Sequence, residues 1–157
     1  GAKNPDMKIS SPGLEIIQHF EGWSASVYRC QTNHITQGWG SCYDDRGLPI
    51  AADTEDIDKV RGEAYLRYAC RHVEGVIKRL VLTRAPLTQG MFDASCLLAY
   101  NFGTGAFARS TIRQRLARDD YDGAADIWRQ FRCGGGRIIS GLVRRRAAEK
   151  ELFLSDY

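Results

Sequence analysis

The stretch FEGWSASVYRCQTNHITQGWG, residues 20–40, sets a carboxylate (Glu21) ahead of a thiol (Cys30), an imidazole (His34) and a hydroxyl (Thr36). Hydrolysis of a glycosidic bond needs an acid for the leaving oxygen and a second group that activates a water or attacks the sugar carbon. Glu21 suits the first task. Phe20 and Trp23 beside it predict an apolar surround, the environment in which a carboxyl holds its proton. The second group is usually a carboxylate, and here the candidate is a thiol, only slightly ionised at neutral pH when unperturbed. Such a thiol can still orient a water or stabilise developing positive charge, with the Thr36 hydroxyl as a second water ligand.

The same residue types leave other chemistries open. Cys30 could be the nucleophile of a cysteine peptidase or amidase, with His34 or His72 as base. Against this, no cysteine heads a recognisable nucleophile helix. Cys30, His34 and Cys42 could ligate zinc. A non-catalytic wall-binding or membrane-disturbing module could rest on the basic C-terminal helix alone.

The elements that must hold these residues are mainly helical. Ser11 followed by Pro12 starts a helix expected to run to about Phe20, with Leu14, Ile17 and Phe20 toward the core and Gly22 near its end. Between Val27 and Tyr43, β-prone residues separated by Thr32, Asn33, Gly38 and Gly40 predict short strands and turns, the only convincing β region. A loop through residues 44–53 leads to a long helix ending near Val81, whose apolar stripe is expected to be Val60, Ala64, Ala69, Val73, Val76, Ile77 and Leu80. Thr88 can cap a second helix, TQGMFDASCLLAYNF, apolar nearly all round and ending at Gly103. FARSTIRQRLA, YDGAADIWRQF and IISGLVRRRAAEKELFL read as three further amphipathic helices, so the C-terminal half is expected to be all helix. The fold class is α+β and mostly helical: a small lobe at about 11–57, a connecting helix at 58–82 and a helical lobe at 83–157, with a cleft expected between the lobes.

Composition sets limits on these readings. A chain of 157 residues with 43% hydrophobic content can bury one sizeable core and favours a single domain. The net charge of +3 is too mild for a nucleic-acid binder. Arg144, Arg145 and Arg146, with Arg137 and Lys150 nearby, would suit weak contact with an anionic envelope or form an ordinary solvated helix face. No segment approaches the roughly 18 apolar residues of a membrane span. Five cysteines cannot all pair and none forms CxxC, which argues against a disulfide framework. Cys70 and Cys96 lie in apolar helical patterns and read as core, and Cys133 reads as a helix-end residue. Gly1 and Ala2 are expected to carry no structural role.

The spacing of Glu21, Cys30 and Thr36 resembles the Glu, Asp or Cys, Thr pattern of phage-type lysozymes, the endolysins of glycoside hydrolase family 24. TQGWG is similar to that family's TIGYG strand. LTQGMFDASCLLAYNFGTGAFARSTIRQRL resembles its LTQxQxDALxSFxFNxGxGAFxxSTLLxxL block, and GLVRRRAAEKELF its GLxxRRxAExxLF ending; together the blocks cover about Ser11 to Leu154. The resemblance implies a lysozyme-like two-lobed fold with a small β-hairpin lobe, over one catalytic domain of residues 1–157. It also implies cleavage of the β-1,4 bond between N-acetylmuramic acid and N-acetylglucosamine in bacterial peptidoglycan, for host-cell lysis, with no cofactor or metal. It carries over Glu21 as general acid, Cys30 in place of the usual Asp, and Thr36 as a residue that helps place the water, with inversion as the outcome. Asn101 in YNFGTG falls where the family lines its cleft and is a candidate sugar contact, with helix-end capping as its other reading. A monomer that accumulates in the host cytoplasm and reaches the wall through a holin pore also follows from the resemblance.

The family's TIGYG is usually followed by His, where this chain has Ser41. His34 stands two residues before Thr36 instead, a candidate substrate contact or a loop residue with a satisfied hydrogen bond. Cys42 adds one more possibility: a Cys30–Cys42 disulfide would block the thiol and act as an off switch under oxidising conditions.

Overall fold

The computed structural model describes residues 6–157; Gly1 and Ala2 lie outside the described residues. The element order is α1 (Ser11–Glu21), β1 (Ser24–Arg29), β2 (Ile35–Gly38), α2 (Lys59–Ile77), α3 (Gln89–Phe102), α4 (Thr104–Arg109), α5 (Thr111–Leu116), α6 (Tyr121–Ile127), β3 (Cys133–Gly134), β4 (Arg137–Ile138) and α7 (Ser140–Leu154). The class is α+β and mostly helical, as expected. The chain forms two compact units, one of Ile17–His72 and one of the described residues through Ile16 together with Val73–Tyr157.

In the larger unit, α3 is the central helix. Thr88 caps it, its hydroxyl accepting from the Met91 N–H at 3.1 Å, and every residue from Gly90 to Ala99 is buried. Gly103, at φ 94, ends the helix in a conformation that an L side chain rarely adopts. Helix α7 lies against α3 so closely that a Cβ at Gly90 would run into the Leu152 carbonyl. The segment before α1 is tied down by polar anchors: the Ile9 N–H donates to Glu74 at 2.7 Å and the Ser10 N–H to buried Asp93 at 3.0 Å. Trp128 and Phe153, both fully buried, pack with ring centroids 5.1 Å apart. Burying a large apolar side chain of this kind contributes about 1.5–3 kcal/mol.

Three departures from the sequence expectation lie in or run into this unit. The segment FARSTIRQRLA is two helices rather than one, because the Ser110 hydroxyl accepts from the Arg113 N–H at 3.1 Å and starts a new helix at Thr111. The connecting helix stops being α-helical at Ile77 and widens into a π-turn over Lys78–Leu82, where the Thr83 N–H reaches back to the Lys78 carbonyl at 3.1 Å. Residues 133–138 form a two-stranded ribbon, so this half is not all helix and Cys133 is a strand residue. Gly135 and Gly136, at φ 59 and 78, supply the paired left-handed conformations of the tightest hairpin turn. Cys70 and Cys96 are core, at 1% and 0% exposed.

The smaller unit is built around the β1–β2 hairpin. Its strands are antiparallel, pairing Ser24 with Gly38, Tyr28 with Thr36 and Arg29 with Ile35, with an irregularity between Ser24 and Tyr28. Gln37 locks the hairpin to the following loop: its buried side chain donates to the Ala25 and Glu55 carbonyls, each at 2.9 Å. The rings of Trp23 and Trp39 pack 4.5 Å apart, and a Cβ at Gly62 would run into the Trp23 ring, 2.8 Å from its Cη2, so the first turn of α2 needs a residue without a side chain here. The buried face of α2 accordingly runs through Tyr65, Leu66, Cys70, Val73 and Ile77, while Val60 is 79% exposed rather than part of the stripe.

Candidate active site

Helix α1 ends at Glu21, and Gly22, at φ 75 with its N–H on the Gln18 carbonyl at 3.0 Å, turns the chain into β1. This delivers the carboxylate beside the hairpin. Glu21 is exposed, with Phe20 and Trp23 half-buried, so the apolar surround expected from the sequence is not closed over it. The tight turn after β2 comes up against Glu21 from the other side. The Gln37 and Ser41 backbones exchange hydrogen bonds of 2.9 and 3.0 Å around Trp39 and Gly40, and a Cβ on Gly40 would lie 2.8 Å from Glu21 Oε2.

Cys30 follows the last residue of β1. Its N–H donates to the His34 carbonyl at 3.0 Å, and the Asn33 N–H to the Cys30 carbonyl at 2.8 Å, closing a turn that puts Asn33 at φ 65. Asparagine tolerates that conformation better than most residues. Thr36 lies on β2, 2% exposed, with its hydroxyl donating to the His34 carbonyl at 3.0 Å. With its one proton committed, the Thr36 oxygen retains lone pairs for a donor.

Glu21, Cys30 and Cys42 meet electrostatically at Tyr28. Burial first, then the negative charge of Glu21, Cys30 and Cys42 in turn, raises the Tyr28 phenol above its ordinary value. The Cys30 thiol moves the other way, down to about 6: the Thr32 hydroxyl is the main cause, followed by the His34 backbone hydrogen bond. A half-buried thiol in this environment is largely anionic at neutral pH. Cys30 and Cys42 are both free, and Cys42 Sγ lies 3.8 Å from the Thr36 hydroxyl.

The hairpin therefore brings Glu21, Cys30, His34 and Thr36 into one unit. His34 is exposed, and its Nδ1 lies 2.8 Å from the Thr32 hydroxyl, which is in turn 3.0 Å from Cys30 Sγ. The histidine thus meets the thiol through Thr32, not as the adjoining base of a cysteine peptidase. Among the described residues no cluster of three or more His, Cys, Asp or Glu side chains is arranged to hold a metal ion, so Cys30, His34 and Cys42 do not form the zinc set. Asn101 belongs to the other unit, in the last turn of α3; its Oδ1 is buried and has no hydrogen-bond partner among the described residues. Sequence reasoning missed Thr32, Tyr28 and Gly40. The alternation Cys30-x-Thr32-x-His34 ahead of a β-strand was the available signal for the first.

A carboxylate at the end of a helix, facing a small antiparallel hairpin and followed by a long helix and a helical body, defines a lysozyme-fold protein. The chain belongs to the phage lysozyme family, whose model matches residues 18–149. It is 35% identical to the endolysin of Acyrthosiphon pisum secondary endosymbiont phage 1, over 95% of this chain and 99% of that one. The endolysin of Bacillus phage B103 is 33% identical over 95% of this chain, which spans only 55% of that longer protein. Among solved structures, a variant of P22 lysozyme superposes with a TM-score of 0.83 at 33% identity, covering 94% of this chain and 99% of the other. The protein is accordingly a peptidoglycan-hydrolysing enzyme of the endolysin type.

Proposed function

We propose that the enzyme is an N-acetylmuramidase that cleaves the β-1,4 bond between N-acetylmuramic acid and N-acetylglucosamine with inversion. Glu21 protonates the leaving glycosidic oxygen as the bond to the sugar carbon breaks. A water held by Cys30 and Thr36 attacks the opposite face, and its proton passes to the Cys30 thiolate or to solvent. The observation that carries this reading is that Glu21, Cys30 and Thr36 lie together in one compact unit around the β1–β2 hairpin, and a thiol lowered to about 6 supports it by giving Cys30 the charge of a carboxylate. The Thr36 hydroxyl supports it: donating to the His34 carbonyl at 3.0 Å, its oxygen keeps lone pairs that can accept from the water. Asn101 and His34 are proposed as sugar contacts, to be read as a rise in KM on substitution.

The whole chain is proposed to act as one monomeric catalytic domain that binds no nucleic acid. Of the Arg144–Arg146 run expected to meet an anionic envelope or water, Arg145 and Arg146 are buried, which leaves exposed Arg144 on α7 for weak, salt-sensitive contact. Among the described residues no helix is long and apolar enough to cross a membrane, and access to the wall through a holin pore is proposed. Lysis that requires co-expressed holin would support that route.

Mass spectrometry of digested peptidoglycan tests the chemistry. Reducing muramic acid ends are expected; reducing N-acetylglucosamine ends or anhydro-muramic ends would overturn the bond assignment or the hydrolytic outcome.

A further inference from the structure

We infer that Thr32 and His34 are positioning residues for Cys30, forming a hydroxyl-bridged path along which the thiol gives up its proton to the His34 ring. The inference rests on the muramidase reading for its purpose, not for its geometry. The turn at Cys30–His34 closes through backbone hydrogen bonds at both ends, and Arg29 braces it from β1 by donating to the Asn33 carbonyl at 3.0 Å. The side chains of residues 30, 32 and 34 then stand in line, with Cys30 Sγ to Thr32 Oγ1 at 3.0 Å and Thr32 Oγ1 to His34 Nδ1 at 2.8 Å.

A hydroxyl has one proton and two lone pairs, so the line admits two arrangements. In one, S–H donates to the threonine oxygen and the threonine O–H donates to a neutral Nδ1. In the other, each proton has moved one link: the threonine O–H donates to S⁻ and Nδ1–H⁺ donates to the threonine oxygen. The S–H bond breaks, an N–H bond forms, and no charge is created in total. Burial works against an anion at Cys30, and Arg29 on the strand before it is turned to the Asn33 carbonyl rather than to the thiol. What favours the thiolate is hydrogen bonding at the hairpin tip, from the Thr32 hydroxyl first and the His34 backbone second. The Thr32 hydroxyl is the largest cause of the thiol's lowering, and the path through it supplies the imidazole as the place where the proton rests.

The test is the pH dependence of iodoacetamide labelling of the Cys30 peptide, followed by mass spectrometry on the full chain. The wild type is expected to label with a midpoint near 6. Thr32→Val should move the midpoint toward the free-thiol value of about 8.5 and slow labelling at pH 6.5 by about tenfold or more. Thr32→Ser, which keeps the hydroxyl, should label like the wild type. His34→Gln can hydrogen-bond Thr32 but cannot take a proton, so it should raise the midpoint as His34→Ala does. A wild-type midpoint in Thr32→Val, or in His34→Gln, would overturn the path. Labelling that follows this pattern in an enzyme releasing no reducing muramic acid ends would leave the path standing and sink the muramidase reading instead.

Discussion

Gly40 stands against Glu21 so closely that a Cβ on it would lie 2.8 Å from the Glu21 Oε2 atom, well inside van der Waals contact. Its φ of 77 adds a second reason for glycine at this position. Gly40→Ala should therefore do two separable things. The left-handed conformation should cost about 1–2 kcal/mol of stability, read as a lower urea midpoint. The displaced carboxylate should cost more in catalysis, because a misplacement of about 1 Å can lower a rate about 100-fold. A variant that loses stability but keeps wild-type kcat under native conditions would show that the Gly40 turn does not position the acid.

Glu21 and Cys30 predict opposite responses to conservative replacement. Glu21→Gln keeps the shape and removes the proton, and release of reducing ends should fall by about 10²–10⁴-fold. Cys30→Asp restores a carboxylate and should stay active, whereas Cys30→Ala should not. The wild type should lose activity as the thiol is protonated on descent through about 6. In Cys30→Asp that acid limb should move down toward the carboxylate range, about 3.9. Iodoacetamide should inactivate the wild type and spare Cys30→Asp. A cysteine peptidase or amidase would give the reverse result for both substitutions.

Much of this arrangement is legible from sequence where a single physical signal dominates. Helix α3 is apolar almost all round, and Thr88 marks its start, so its place in the core needed no tertiary information. The reach from Glu21 to Thr36 is likewise fixed by chain length and a turn. What escapes sequence reasoning depends on contacts made across space. Val60 fits a helical stripe by spacing, yet the packing of Trp23 and Trp39 over Gly62 turns the buried face of α2 elsewhere. The ribbon at residues 133–138 has two-residue strands too short for any alternation, and only its glycine turn creates it. Thr32 escapes for a different reason. Nothing in its identity says that its hydroxyl sits between a thiol and an imidazole, which depends on how the hairpin tip closes.

The lowered thiol also makes stability depend on pH. Cys30 titrates near 6 in the folded protein against an ordinary value of 9.0. Between those values the unfolded chain binds more protons than the folded one, so stability from this group rises with pH through the window. It is fully present above about 9 and is lost as pH falls through about 6. Urea midpoints measured from pH 5.5 to 9 should climb less steeply in Cys30→Ala than in the wild type. Parallel curves would mean that the folded and unfolded thiols titrate alike.

The buried pair of Arg146 and Glu149 predicts a large stability effect of electrostatic origin. Both side chains are 0% exposed, 2.5 Å apart, and Glu149 also accepts from Trp128 Nε1 at 3.1 Å. Burial pushes the Glu149 carboxyl up and the Arg146 guanidinium down, and each partner opposes the shift of the other. Glu149→Leu leaves a buried guanidinium uncompensated and should cost about 3–5 kcal/mol. Arg146→Met should cost a similar amount by stranding the carboxylate. The double variant Arg146→Met with Glu149→Leu removes both charges and should recover much of either loss, less about 1–3 kcal/mol for the unpaired Trp128 N–H. Urea denaturation of the four proteins closes the cycle. Single losses that simply add in the double variant would show that the two side chains do not depend on one another.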